Sequence, residues 1–231
     1  MTVVLVPGLL CDHAVWAPQI AALRDDGHDV LVVSSTGSAS IGALATAALT
    51  AVPAGPFALA GHSLGARIAV EMVRQAPERI ERLALLDTGV HPVGPGEAES
   101  RGALVRLAED EGMSSLVERW LLPMLHEAHR DDDAIVGPLV AMVERNTAMS
   151  FAAQQQALLT RPDASAVLPT LMVPTLVLVG DADAWSPVEQ HRTIAAAVPG
   201  SELVMVEHSG HMSPVEQPAA VTEALRRWLA R

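Results

Sequence analysis

Six short runs of apolar and β-branched residues recur along the chain. They are TVVLV (2–6), DVLVVSS (29–35), FALAG (57–61), RLALLDT (82–88), TLVLVG (175–180) and ELVMVE (202–207). Strands that are buried on both faces are continuously apolar, because neither face meets water. The runs therefore predict the strands of a parallel sheet.

Segments of helical length separate most of these strands. One covers residues 14–24, one follows the third strand at residue 64, and two more cover residues 187–197 and 219–229. The last has Pro218 at its first turn, a position that proline favours. Alternation of strand and helix is typical of α/β proteins. We expect an α/β fold with a mostly parallel sheet of about six strands and helices on both faces.

The alternation stops between residues 91 and 170. This stretch shows no strand pattern and indicates three or four successive helices. The spacing of Ser115 and Glu118 predicts a capping box at the start of the second of them. We expect an α/β core made of residues 1–90 and 171–231, with residues 91–170 inserted in it as a helical cap.

Charge and cysteine content narrow the class of protein. The 231 residues carry a formal net charge of −12, which repels nucleic acid phosphates and anionic membrane surfaces. We therefore expect neither a nucleic acid nor a membrane as a partner. The single cysteine, Cys11, cannot form an internal disulfide, and the first ten residues lack the features of a signal peptide. These observations favour a cytoplasmic protein.

The segment GHSLG (61–65) joins the third predicted strand to the helix that follows it. A serine in such a tight turn has a strained backbone, and the positions two before and two after it must be nearly free of side chains. Gly61 and Gly65 meet this requirement. The pattern predicts a nucleophile elbow that exposes Ser63 at the carboxyl edge of the sheet, next to a helix N-terminus that favours negative charge.

A serine hydroxyl becomes a strong nucleophile only when a histidine removes its proton and a carboxylate orients that histidine. Both partners should lie at the carboxyl ends of later strands. The fifth strand is followed by Asp181 and Asp183, and the sixth by His208 and His211. The order Ser, Asp, His is the order found in hydrolases with a G-x-S-x-G elbow.

Four segments carry a resemblance to a known family: LVPGLL (5–10), GHSLG (61–65), LVGDADAWSP (178–187) and SGHMSPVEQP (209–218). Over nearly its whole length the chain resembles the α/β-hydrolase superfamily, specifically its small members with a helical cap. The resemblance implies that Asp183, fourth in a glycine-x-x-acid stretch, is the acid and that His211, after a glycine, is the base. Asp181, which follows the same strand, remains an alternative for the acid. So does Asp87, because some relatives place the acid after that earlier strand.

The resemblance also implies an oxyanion hole made of two backbone N–H groups. One belongs to Leu64, directly after the nucleophile, and the other to Leu9, which follows the position of the family's His-Gly pair. This chain has Pro7 where the family usually has histidine. The substitution removes the N–H group of residue 7 but leaves that of Leu9.

An apolar pocket is expected above the nucleophile. We predict that Trp120, Met124 and Met142 of the cap, with Trp185 of the acid loop, contact the substrate. Packing between helices is the competing interpretation for the cap residues. No metal site is predicted for HEAH (126–129), because its histidines are three residues apart rather than the four that place two imidazoles on one helix face.

These patterns together favour an enzyme that uses no cofactor. We expect a serine hydrolase that cleaves a small, moderately apolar carboxylic ester or lactone through an acyl-enzyme. C–C bond hydrolysis, acyl transfer and lyase chemistry on the same fold remain alternatives, as does a ligand receptor that keeps the triad residues. The expected partner is a small-molecule substrate, and a homodimer is left open.

Overall fold

One six-stranded parallel sheet forms the centre of the computed structural model, which describes residues 1–231. The strands are β1 (Thr2–Val6), β2 (Asp29–Val32), β3 (Phe57–His62), β4 (Ile80–Leu86), β5 (Thr175–Gly180) and β6 (Glu202–Val206). Their order across the sheet is β2-β1-β3-β4-β5-β6, and every neighbouring pair is parallel. The predicted α/β fold class is thereby confirmed. Strand β2 is three residues shorter than predicted, and its last pairing joins Val32 to Leu5, next to the end of β1. Beyond it, the Ser35 hydroxyl donates a hydrogen bond to the carbonyl oxygen of Gly8 (3.1 Å).

Nine α-helices accompany the sheet. They are α1 (Ala17–Asp25), α2 (Ile41–Ala51), α3 (Leu64–Gln75), α4 (Glu97–Glu111), α5 (Asp133–Glu144), α6 (Ala148–Leu159), α7 (Val188–Ala197), α8 (Ser213–Glu216) and α9 (Pro218–Leu229). Helix α2 packs against α3, and α1 packs against α9. Right-handed crossovers with this strand order place these two pairs on opposite faces of the sheet. No helix combines the length and the apolar character needed to cross a bilayer.

The core lies where the central strands meet these helices. All residues of β3 and β5 are buried, which explains why their sequences are continuously apolar. Helix α3 has one strongly apolar face, with Ile68 and Met72 fully buried against the sheet. The central strands thus hold the elbow residue that follows β3 on a rigid support.

Residues 91–170 contain no strand, and helices α4, α5 and α6 lie within them. Shorter turns connect these helices, including 3-10 turns at Met113–Ser115, Leu122–Met124 and Glu127–His129 and a π-helical turn at Val117–Leu121. Helices α4 and α6 pack against each other. We call residues 91–170 the cap segment, and its description as a separate cap remains a prediction.

The predicted capping box at Ser115 and Glu118 is wrong. The Ser115 hydroxyl donates to the carbonyl oxygen of Gly112 (2.6 Å), so it serves the preceding turn and caps no following helix. A capping box does occur at the start of α6, where the side chains of Thr147 and Ser150 each accept a hydrogen bond from the other's backbone N–H group. Spacing alone did not distinguish the two sites, because a serine hydroxyl can satisfy either neighbouring turn.

Candidate active site

Ser63 occupies the tight turn between β3 and α3. Its backbone angles, φ 54° and ψ −118°, are strained for a residue that has a side chain. A Cβ atom on Gly61 would come within 2.5 Å of the backbone nitrogen of Ala66, and one on Gly65 would overlap the carbonyl oxygen of Val6. Crowding of the backbone around the turn therefore explains why glycine stands on both sides of Ser63.

A hydrogen-bonded chain joins three side chains that lie far apart in sequence. The Nε2 atom of His211 lies 2.8 Å from the Oγ atom of Ser63, and its Nδ1 atom lies 2.8 Å from Oδ2 of Asp183. The other carboxylate oxygen of Asp183 accepts backbone N–H groups from Trp185 (2.8 Å) and Ser186 (2.9 Å). This geometry suits a tautomer in which Nδ1–H donates to the carboxylate and Nε2 accepts from the hydroxyl.

The electrostatics of the His211 and Asp183 pair favour charge on both groups. Burial alone would lower the pKa of His211, but the charge of Asp183 and the hydrogen bond to it outweigh burial and raise the pKa above 6.5. Burial alone would raise the pKa of Asp183, but the charge of His211, with the hydrogen bonds that the carboxylate accepts, lowers it. The imidazole is therefore prepared to take up a proton next to a carboxylate that remains ionised.

Neither of the two alternative acids contacts His211 through a hydrogen bond. Asp181 is exposed, and its carboxylate accepts the backbone N–H group of Ser209 (3.1 Å). Asp87 is fully buried and is bonded to the hydroxyl of Ser213 (2.5 Å). Burial, followed by the charge of Asp183, raises the pKa of Asp87 well above its ordinary value. The structure thus brings only Asp183 to the imidazole.

His62 lies next to the triad and supports the loop that carries His211. Its Nε2 atom is 2.8 Å from the carbonyl oxygen of His211, and the ring is almost completely buried. Burial lowers the pKa of His62 to about 3, so the ring is neutral at pH 7 and donates this hydrogen bond. The ring contacts the backbone of the histidine loop and makes no hydrogen bond to Ser63.

Glu216, which the sequence analysis did not select, holds the loop that carries His211. One carboxylate oxygen accepts the backbone N–H groups of Gly210 (2.9 Å) and Met212 (3.1 Å), on either side of the histidine. The other oxygen accepts the N–H group of His126 (2.7 Å) and lies 3.0 Å from Nδ1 of His129. This carboxylate therefore ties the histidine loop to the cap segment.

The two predicted oxyanion donors line the same cavity as Ser63. The N–H group of Leu9 makes no hydrogen bond within the protein. That of Leu64 belongs to the first residue of α3, where N–H groups have no acceptor within the helix. Both groups are thus available to an oxygen atom of a ligand.

Side chains of the cap segment fix the loop that carries Leu9. The backbone N–H group of Leu10 donates to Oε1 of Gln154 (3.1 Å), and the amide of Asn146 donates to the carbonyl oxygen of Leu10 (3.0 Å). The Gln154 amide also donates to the carbonyl oxygen of Ser35 (3.0 Å). Gln154 is fully buried. Its role was not predicted, because nothing in the local sequence distinguishes it from a solvent-facing glutamine.

A cavity of about 400 Å³ adjoins Ser63 and His211. This volume falls within the range of small-molecule sites. Three of the four residues predicted to contact a substrate line it, namely Trp120, Met124 and Trp185. Their aromatic and thioether surfaces make part of the wall apolar.

Met142 does not line the cavity, contrary to prediction. Its side chain is 1% exposed and lies on the same face of α5 as the buried residues Leu139 and Val143. This face packs into the hydrophobic core. The competing interpretation, packing between helices, therefore applies to Met142.

Comparison with known proteins places this chain in a family. Residues 3–224 match the family model described as alpha/beta hydrolase family. The chain belongs to the alpha/beta hydrolase family. The extent of the match agrees with the resemblance that the four sequence segments indicated.

Individual alpha/beta hydrolases resemble the whole chain. A solved structure of a thermophilic esterase from Thermogutta terrifontis, with malate bound, is 30% identical, has a TM-score of 0.89, and covers 100% of this chain and 89% of its own. The enol-lactonase of Burkholderia xenovorans has the same fold, with 23% identity, a TM-score of 0.89 and coverage of 100% and 91%. A protein of Pseudomonas syringae, provisionally named carbamate hydrolase RutD, is 28% identical over 99% of this chain and 93% of its own.

Proposed function

We propose that this alpha/beta hydrolase is a cofactor-free serine hydrolase that cleaves a small, moderately apolar carboxylic ester or lactone. The observation that carries the proposal is the imidazole of His211, which lies 2.8 Å from both the Ser63 hydroxyl and the Asp183 carboxylate. A cavity of about 400 Å³ beside this hydroxyl leaves room for a small acyl compound. A nucleophile, a base and an orienting acid in contact are the parts that acyl transfer requires.

In the first half of the reaction, the Ser63 oxygen attacks the substrate carbonyl while Nε2 of His211 takes the hydroxyl proton. The ionised Asp183 stabilises the resulting imidazolium. The N–H groups of Leu9 and Leu64 donate to the oxyanion, and each such donor contributes about 3 kcal/mol in a well-formed hole. Collapse of the tetrahedral intermediate breaks the bond to the alcohol oxygen, which receives the proton from His211 and leaves an ester on Ser63.

The second half of the reaction repeats these roles with water. His211 accepts a proton from water as the water oxygen attacks the acyl carbonyl, and the proton then returns to the Ser63 oxygen as the acid is released. With a lactone, the hydroxyl freed in the first half stays attached to the acyl chain, so the product is a single hydroxy acid. One constellation of side chains can therefore serve esters and lactones alike.

The named relatives support this class of reaction. One solved structure is named an esterase, another an enol-lactonase, and the relative from Pseudomonas syringae is provisionally named a carbamate hydrolase. These names differ in the substrate class. The test substrates therefore vary the acid and alcohol portions of the ester.

A panel of p-nitrophenyl esters with acyl chains of two to eight carbons, together with γ- and δ-lactones, tests the proposal. We expect turnover by the wild-type protein and its loss in Ser63→Ala, with an acyl adduct on Ser63 detected by mass spectrometry of a rapidly quenched reaction. The Ser114→Ala variant, which changes an exposed serine outside the cavity, controls for handling of the protein. Turnover that persists in Ser63→Ala would refute the proposal.

Two further outcomes identify the alternative functions. Labelling of Ser63 by a fluorophosphonate, without turnover of any ester or lactone, would favour a receptor or a different reaction on the same residues. Transfer of the acyl group to an added alcohol in preference to water would favour an acyltransferase. Either result rejects ester hydrolysis as the activity.

A further inference from the structure

The cavity beside Ser63 has a charge opposite to that of the whole protein. Its wall contains three arginines, Arg67, Arg101 and Arg161, and one acidic residue, Glu97. The lining therefore has an excess of two positive charges within a chain whose net charge is −12. His91 also lines the cavity, and burial together with the charge of Arg67 lowers its pKa, so it is neutral at pH 7.

Arg161 and Glu97 neutralise each other. The Arg161 guanidinium donates to both carboxylate oxygens of Glu97 (2.6 and 2.7 Å), and its remaining N–H groups donate to the carbonyl oxygens of His91, Pro92 and Leu158. All the donors of Arg161 are thus used within the protein. Its role is to build the wall of the cavity.

Arg101 and Arg67 retain unused donors. Arg101 donates to Glu97 (2.8 Å) and to the side-chain oxygen of Gln155 (2.6 Å), which leaves most of its five N–H groups free. Arg67 donates only to the carbonyl oxygen of His91 (3.1 Å), and no carboxylate lies within 4.0 Å of it. Of these two guanidinium groups, only Arg101 is paired with an acid, and that acid, Glu97, is also paired with Arg161.

The surroundings of Arg67 disfavour its charge. Burial, followed by the positive charge of Arg161, lowers the pKa of Arg67 to about 9. The group is still charged at pH 7, so the folded protein contains a desolvated cation without an ion-pair partner, which is unfavourable. An anion from outside the protein would relieve this repulsion and fill the unused donors.

We propose that Arg67 and Arg101 bind a carboxylate of the substrate, so that the preferred ester or lactone carries a free carboxylate group. This proposal rests on the proposed function for the bond that is cleaved. A planar guanidinium matches a carboxylate with two parallel hydrogen bonds, which a lysine cannot do.

The placement of Arg67 sets where that carboxylate lies. Ser63 directly precedes α3, and Arg67 is the fourth residue of that helix, so Arg67 lies in the first turn after the nucleophile. Both residues line the same cavity, whose wall also contains the apolar side chains of Leu104 and Leu158. A short aliphatic chain between the reacting carbonyl and the carboxylate would suit this arrangement.

A pair of matched substrates tests the subsite. Mono-4-nitrophenyl glutarate carries a carboxylate, and 4-nitrophenyl 5-oxohexanoate has the same size with a neutral methyl ketone in its place. We expect wild-type kcat/KM to favour the glutarate by about 10- to 100-fold after subtraction of spontaneous hydrolysis, since a charge-assisted hydrogen bond contributes about 1.5–3 kcal/mol.

Three variants identify the groups responsible. Arg67→Gln should lower the glutarate-to-oxohexanoate ratio at least about tenfold, and Arg67→Lys should give an intermediate ratio, because it keeps the charge but loses the two-pronged geometry. Arg106→Gln, an exposed arginine of α4 outside the cavity, should leave the ratio unchanged. The ratio does not depend on the fraction of folded protein, since both substrates report on the same sample.

Binding of glutarate to the Ser63→Ala variant separates this proposal from the proposed function. Isothermal titration calorimetry should show that a second substitution, Arg67→Gln, lowers the affinity of Ser63→Ala for glutarate at least about tenfold. Absence of ester turnover with Arg67-dependent glutarate binding would reject the proposed function and keep the subsite. Turnover that depends on Ser63 would keep the proposed function. If Arg67→Gln then changed neither the glutarate-to-oxohexanoate ratio nor the affinity for glutarate, the subsite alone would be overturned.

Discussion

Removal of the Glu216 carboxylate should destabilise the protein through the histidine loop. The side chain is fully buried, and its two oxygens face four N–H donors. Three of the donors are backbone amides, and the fourth is the ring nitrogen of His129. Glu216→Ala leaves all four donors without an acceptor while the loop remains packed under the cap segment.

The magnitude follows from counting donors. A buried donor that loses its acceptor costs about 1–3 kcal/mol, so four donors at the low end give about 4 kcal/mol. This is a large part of the 5–15 kcal/mol that typically separates folded from unfolded protein. For a chain of this length, we expect the melting temperature to fall by about 8–16 °C. Glu216→Gln keeps one acceptor oxygen and should lose about half as much.

Urea denaturation followed by circular dichroism measures the free energy of unfolding of each variant. Glu223→Ala, which removes an exposed glutamate of α9 with only a weak ion pair to Arg227, is the matched control. It should change stability by less than about 0.5 kcal/mol. A loss of under about 1 kcal/mol in Glu216→Ala, with the same denaturant dependence as wild type, would refute the assignment of this carboxylate as the support of the loop.

Three further predictions test the site. The kcat/KM of the wild type should fall on the acid side with a midpoint above pH 6.5, because the base must be neutral and Asp183 raises the pKa of His211. In a pH profile of ester hydrolysis, Asp183→Asn should shift this midpoint to lower pH and lower kcat about 10⁴-fold, and an unshifted midpoint would contradict the role of Asp183. Gly65→Ala should destabilise the fold by at least about 1–3 kcal/mol in thermal melts, whereas Gly137→Ala, which has open space around it, should not. Gln154→Leu should lower kcat about tenfold or more in the same ester assay, since it releases the loop after β1, and an unchanged kcat would contradict that role.

Local sequence information was sufficient for the sheet and for the elbow. The apolar runs of β3 and β5 directly reflect burial on both faces, and GHSLG reflects backbone crowding within five consecutive residues. The choice of Asp183 over Asp181 required the family resemblance, because the two carboxylates are two residues apart and follow the same strand. The structure separates them by the contacts of each with His211 and Ser209.

Distant contacts decided the rest. Met142 and Trp120 are both apolar residues of the cap segment, yet only Trp120 lines the cavity, because helix α5 turns its Met142 face into the core. Three residues that look like ordinary polar residues of helices are Glu216, Gln154 and Arg67. Each has a hydrogen-bond partner in a segment that is remote in sequence, and Glu216 also binds the short loop just before it.

The amino-acid sequence alone therefore determined the α/β fold and the residue types of the reaction, since periodicity and turn strain act between near neighbours. The family resemblance favoured Asp183 as the acid, and the structure shows its contact with the imidazole. Only the tertiary structure decided which side chains hold the loops and which sign of charge the cavity has. These properties depend on distances between residues that are tens to more than a hundred positions apart, and folding sets those distances through packing that no single segment encodes.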